Sequence, residues 1–171
     1  APSMAWANHR ISMMNPDACV IATPSDQAIF NEEAFRENVL KGLAFVAEND
    51  RFLTMGVKPT RPEPGYGYIQ MGDVFCDNMY QVQSFTEKPE RDFAKIFVES
   101  GEFYWNTGLF LSNVKHLREC FCKILPPVLR DYDKQYPEFS IETENAYMKE
   151  SFSSYPNISV DFGILEKPSN V

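Results

Sequence analysis

At 171 residues the chain has the length of one ordinary domain, and with 44% hydrophobic and 14% aromatic residues it can bury a core and is not disordered. A net charge of −8 lacks the basic footprint of general nucleic-acid binding, so no nucleic acid is expected as a partner. No apolar run approaches transmembrane length and no signal peptide is read, so no membrane is expected either. The acidic balance still allows a phosphorylated ligand, because a few local cations or a bound Mg²⁺ can reverse the sign of a pocket.

Met4 to Met14 reads as a short helix ended by Pro16. Ala18 to Ala22 is a continuous apolar run, as in a strand covered on both faces, and Thr23-Pro24-Ser25-Asp26 is a turn that puts a carboxylate beyond its carboxyl end. From Asn31 the period becomes helical, with Phe35, Val39, Leu43 and Val46 on one stripe and Leu40 and Ala47 beside it. Asn31 suits the N-cap, and Glu32 and Glu33 suit the positive end of the helix dipole. Arg51 to Val57 is the next strand, and Pro59, Pro62 and Pro64 impose an extended loop leading to Gly65-Tyr66-Gly67-Tyr68.

Two strands, Tyr68 to Met71 and Met79 to Thr86, are joined by a turn around Asp77-Asn78. Helices over Asp92 to Ser100, Val114 to Leu125, Val128 to Tyr136 and Ile141 to Glu150 are expected, with a strand at Phe103 to Leu111. A last strand, Ile158 to Leu165, ends at Lys167-Pro168. The alternation indicates an α/β domain with helices on both faces of a largely parallel sheet. Cys19, Cys76, Cys120 and Cys122 have neither zinc spacing nor disulfide density, and reduced thiols in a cytoplasmic protein are the simplest account. His9 and His116 lack metal-ligand spacing and are read as capping or decorating helices, while Tyr104, Trp105 and Phe121 are read as core.

The most chemical stretch is Phe85-Thr86-Glu87-Lys88-Pro89, followed by Tyr-Trp-Asn-Thr-Gly-Leu-Phe at 104–110. In open α/β sheets, ligands bind at the carboxyl ends of strands. There Glu87 could accept hydrogen bonds from sugar hydroxyls, and Lys88 could hold a phosphate as a point charge. Asn106 carries a donor and an acceptor, and Gly108 would let a ligand lie against bare backbone. A surface ion pair is the bland account of the same residues. Arg61 could reach a phosphate or anchor its loop through Glu63.

Six segments in order resemble the sugar-phosphate nucleotidyltransferases, above all their mannose-1-phosphate guanylyltransferase branch. They are Ala-Pro-Ser-Met-Ala at the start, Thr-Pro-Ser-Asp at 23–26, Gly-Val-Lys-Pro-Thr-Arg-Pro-Glu-Pro-Gly-Tyr-Gly-Tyr-Ile at 56–69, Phe-Thr-Glu-Lys-Pro at 85–89, Trp-Asn-Thr-Gly-Leu-Phe at 105–110, and Ser-Val-Asp-Phe-Gly-Ile-Leu-Glu-Lys at 159–167. The resemblance implies a Rossmann-like nucleotidyltransferase core over residues 1–171, a mainly parallel mixed sheet incomplete at its amino end. It also implies that GTP and mannose 1-phosphate react to GDP-mannose and pyrophosphate with Mg²⁺ as cofactor. Another sugar 1-phosphate, such as glucose 1-phosphate with UTP, dTTP or ATP, is the alternative; a non-catalytic sugar-nucleotide-binding module is another.

By the same resemblance Asp26 and Asp161 hold the metal, and they act in catalysis with Lys88. Tyr66, Gly67, Glu87, Lys88, Asn106 and Gly108 bind the sugar phosphate, with Lys167 a further candidate near phosphate. Gln27 stands where the family commonly has histidine after the metal aspartate, and it could still donate a hydrogen bond. The chain opens at Ala1-Pro2 and stops at Val171, and both ends are expected to be cut from something longer. The family's glycine-rich nucleotide loop would precede Ala1 and a tryptophan-aspartate-glycine segment would follow Val171. The excerpt is expected to be inactive or nearly so, and to self-associate through an uncovered sheet edge.

Overall fold

The structure, a computed structural model, describes residues 1–135, 140–165 and 171. Its elements are α1 (Pro2–Met14), β1 (Cys19–Ala22), α2 (Glu32–Glu48), β2 (Leu53–Val57), β3 (Tyr68–Cys76), β4 (Met79–Thr86), α3 (Arg91–Ser100), β5 (Phe103–Asn113), α4 (Val114–Ile124), α5 (Pro126–Gln135) and α6 (Ile141–Ser151). A 3-10 turn at Phe152–Ser154 and a π-helical turn at Asp161–Leu165 follow. The chain divides into two compact units, Ala1–Ala18 with Asn113–Ile164, and Cys19–Ser112 with Leu165–Val171. Among the described residues no helix is long and apolar enough to cross a membrane.

The second unit holds the sheet, ordered β1-β5-β3-β4 with β2 also paired to β5. The α/β class stands, but the pairs β2–β5, β3–β4 and β3–β5 are antiparallel, where a mainly parallel sheet was expected. Strand–helix alternation reports how long a connection is, not which strand becomes the neighbour. The β3–β4 turn at Asp77-Asn78 is as expected, although β3 runs on to Cys76 through irregular register. β1 is only half-buried, with Ile21 36% exposed, so it is not covered on both faces.

The helix α2 follows its sequence pattern. Asn31 accepts a hydrogen bond from the Ala34 amide at 3.1 Å, and Glu32 and Glu33 occupy the first turn. Phe35, Val39, Leu43 and Val46 pack with Leu109 and Leu111 of β5, joined by Cys19, Leu53 and Met55. Leu40 and Ala47, expected beside this stripe, face solvent. Burial pushes the Cys19 thiol up, which suits a packed side chain and not a nucleophile.

In the first unit α1, α4 and α5 pack together around Ala5, Leu117, Phe121, Leu129 and Tyr132, all nearly solvent-free. The Trp6 ring meets Tyr132 edge-on at 4.8 Å, and its indole N–H donates to the buried Glu144, which also pairs with Arg10 at 3.3 Å. Asp161 begins the π-helical turn in this unit, so the strand expected at 158–165 is corrected to a helical turn over its last five residues. The alternating apolar residues of that segment mimic a strand. Gly163 lies so close to Ile124 that a Cβ would come within 2.8 Å of its Cδ1.

His9 and His116 correct another expectation, being buried rather than surface decoration. His9 stacks on Trp6 at 5.7 Å, and its Nε2 has no hydrogen-bond partner among the described residues. Burial holds the imidazole below its ordinary range, and Arg118, 3.4 Å from Nδ1, adds to this against the opposing pull of Asp133. Above about pH 6.5 the ring is neutral in both folded and unfolded chains. Below that the unfolded chain takes up the proton more readily, so stability falls as pH falls. The expected result is a melting temperature that drops between about pH 7 and about pH 5, with a shallower slope in His9→Gln. Equal slopes in the two proteins would remove His9 from the account.

Candidate functional site

Antiparallel register decides which residues meet. Tyr68 of β3 stands opposite both Thr86 of β4 and Trp105 of β5. One residue further out, Gly67 lies between Glu87 and Asn106, and the Asn106 amide donates to the Gly67 carbonyl at 2.8 Å. A Cβ on Gly67 would fall 2.6 Å from Glu87 Oε2 and 3.4 Å from Asn106 Cβ. The missing side chain therefore leaves a bare floor between a carboxylate and a carboxamide. The gathering place is the carboxyl end of β4, the amino end of β3 and the first half of β5. It is not a row of parallel carboxyl ends.

Lys88 adds a cation by an unusual route. Along a strand, neighbouring side chains point to opposite faces. Lys88, at φ 46°, breaks that alternation, and its Nζ comes to 3.2 Å from Glu87 Oε1. The left-handed conformation costs a residue with a side chain on the order of 1–3 kcal/mol. The pair it makes is more than half exposed, so it returns little stability. Strain without a stabilising return is a common mark of a binding position.

Asn106 lies inside β5, not at its end, and its Oδ1 accepts from the Gly108 amide at 3.0 Å. That bond closes a kink in which Gly108 takes φ 71°, a conformation suited to glycine. A Cβ there would also press on Pro24, 3.3 Å from its Cγ. Pro24 belongs to the turn that carries Asp26, which is exposed and has no hydrogen bond or ion pair among the described residues. The next residue, Gln27, donates from Nε2 to the Thr107 carbonyl at 2.6 Å. Sequence reading allowed Gln27 a hydrogen bond but not this partner, and it missed Thr107, whose hydroxyl donates to the Met55 carbonyl at 2.7 Å. No local pattern signals either contact.

Tyr66 sits differently. Its ring lies edge-on to Trp105 at 5.2 Å, and consecutive residues Trp105 and Asn106 face opposite sides of the sheet. Tyr66 thus sides with Trp105, whereas Gly67 sides with Asn106. Of the two readings of Arg61, the structure shows the anchor: its guanidinium pairs with Glu63 at 3.2 Å and lies over Trp105. The Tyr68 hydroxyl holds the same loop, accepting from the Glu63 amide at 2.9 Å. Asp161 belongs to the other unit, and Lys167 lies outside the described residues.

Among the described residues no three His, Cys, Asp or Glu side chains form a cluster able to hold a metal by themselves. Mg²⁺ is commonly held by one or two carboxylates together with substrate phosphates. An exposed carboxylate without a protein partner, as at Asp26, fits that mode of binding.

Carboxylate, ammonium and carboxamide around a bare glycine, on an α/β sheet, suit a ligand bearing both hydroxyls and phosphate. The model of the nucleotidyl transferase family matches residues 1–141, and the chain belongs to that family. It is 33% identical over 171 residues to the xanthan biosynthesis protein XanB of Xanthomonas campestris pv. campestris, covering 99% of this chain and 36% of that protein. It is 31% identical over 179 residues to a mannose-1-phosphate guanylyltransferase of Escherichia coli K12, covering 99% and 37%. Among solved structures it is similar to the mannose-1-phosphate geranyltransferase of Thermus thermophilus, with a TM-score of 0.81 at 26% identity over 99% of this chain and 48% of that one. The chain spans about a third of the length of the curated relatives it matches.

Proposed function

We propose that this chain is the sugar-binding portion of a cytoplasmic enzyme that makes GDP-mannose and pyrophosphate from GTP and mannose 1-phosphate. The observation that carries the reading is the convergence at Gly67, where Glu87 Oε2 occupies the space a Cβ would need. In the reaction a phosphate oxygen of mannose 1-phosphate forms a bond to the α-phosphorus of GTP, and pyrophosphate departs with the electrons of the broken bond. Glu87 accepts hydrogen bonds from sugar hydroxyls and Asn106 binds a further hydroxyl. The backbone of Gly67 borders the sugar, whereas Tyr66 stands on the Trp105 side of the sheet and Gly108 lies under Pro24. Lys88 holds the sugar phosphate as a point charge.

Asp26 would be a carboxylate for Mg²⁺, which when bound would supply neutralisation of phosphate charge, and Asp161 is a second carboxylate offered separately. These two residues lie in different units, and Asp161 is varied by itself. Guanine and mannose are favoured by the named relatives, two of which carry mannose 1-phosphate in their names.

Calorimetric titration with GDP-mannose and Mg²⁺ tests the reading on the chain as it stands. Losing the charge-assisted hydrogen bonds in Glu87→Ala should weaken binding by about tenfold to a hundredfold. Asp161→Asn should weaken only the Mg²⁺-dependent part. UDP-, ADP- and dTDP-glucose serve as competitors. A folded wild-type chain that ignores GDP-mannose, or prefers a glucose nucleotide, would overturn the assignment.

A further inference from the structure

We propose that Gln27 is a positioning residue that fixes the Asp26 turn against the strand carrying Asn106. This deepens the reading above and rests on its assignment of Asp26 to the metal.

Two ties leave the 23–27 turn and land on consecutive residues of β5. Gln27 Nε2 donates to the Thr107 carbonyl at 2.6 Å, and Pro24 covers Gly108 closely enough that a Cβ would sit 3.3 Å from its Cγ. The receiving residues are themselves held. Thr107 is bonded through its hydroxyl to the Met55 carbonyl at 2.7 Å, and Asn106 through its amide to the Gly67 carbonyl at 2.8 Å. A chain of direct contacts thus runs from the turn carrying Asp26 to the glycine floor beside Glu87, all within one unit.

Among the described residues the exposed Asp26 carboxylate has no hydrogen bond or ion pair to hold it. Its placement therefore depends on the other residues of its turn that touch β5, Pro24 and Gln27. A binding group held by its neighbours must keep its place within about half an ångström to stay productive. An exposed glutamine that spends its amide on a carbonyl 80 residues further along does that for the adjacent carboxylate.

The test uses ¹⁵N-labelled chain and Mn²⁺ alone, read by paramagnetic broadening of backbone amides. In the wild type, broadening at Asp26 is accompanied by broadening at Thr107 and Gly108. Gln27→Met keeps the length and removes the donor, and Gln27→Leu removes the donor with a shorter side chain; neither adds a metal ligand. Both should weaken Mn²⁺ at Asp26 by about tenfold and uncouple Thr107 and Gly108 from it. Melting temperatures of both should stay within about 4 °C of wild type, separating placement from folding. Unchanged Mn²⁺ affinity and unchanged coupling in both Gln27→Met and Gln27→Leu would overturn the positioning role alone. No broadening at Asp26 in the wild type would overturn the metal assignment and this inference with it, while leaving GDP-mannose binding at Glu87 to stand or fall separately.

Discussion

Gly67→Ala is expected to weaken sugar-nucleotide binding as much as Glu87→Ala does while leaving the fold in place. The new methyl group would lie 2.6 Å from Glu87 Oε2, far inside contact distance. What it meets is the free end of a flexible, half-exposed side chain, not backbone, so the carboxylate swings away at little cost. Thermal stability should change by less than about 1 kcal/mol, as for substitutions outside the core. Binding of GDP-mannose should fall by about tenfold to a hundredfold, matching Glu87→Ala, because the same charge-assisted bonds are lost. The double variant should be no worse than either single one, since both remove one interaction. Retained affinity in Gly67→Ala would show that the glycine floor is not where the ligand lies.

Glu87, Lys88 and Asn106 were legible because an acid–base pair before a proline and an asparagine ahead of a glycine are local patterns. Their meeting at Gly67 was not, because register between β3, β4 and β5 is set by contacts distant in sequence. Helix α2 was readable to its cap, since a period of about 3.6 residues and the Asn31 cap act within a few residues. The segment from Ile158 misled, because apolar residues at every second position suit a strand, yet Gly163 lets the chain wind closely against Ile124. His9 misled for a related reason. An isolated polar residue gives no sign that Trp6 and Tyr132 will enclose it. Asp161 lies outside residues 1–141, the span that matches the nucleotidyl transferase family.

Phe121→Ala should have the largest effect on stability. Its ring is fully buried in α4, among α1 and α5. Truncating a buried phenylalanine costs about 3–5 kcal/mol through lost transfer energy and the cavity left behind. That is a large share of the roughly 5–15 kcal/mol that holds a typical domain together. For a chain of this size it corresponds to a fall in melting temperature of about 10 °C. Near-ultraviolet circular dichroism, followed through melting, would report it through Trp6 and Tyr132 in the same unit. A loss below about 1 kcal/mol would mean that α4 repacks freely around the gap.

The division of the chain also sets an order in time during synthesis. Residues 19–112 supply nearly all of one unit without interruption, so its sheet can pair as soon as β5 has left the ribosome. Helix α1 is made earlier but has to wait: the Asn8 side chain donates to the Val114 carbonyl, 106 residues further along. At about 5–20 residues per second, the delay is on the order of ten seconds. Throughout that interval Tyr132, which the Trp6 ring meets edge-on, has yet to be made.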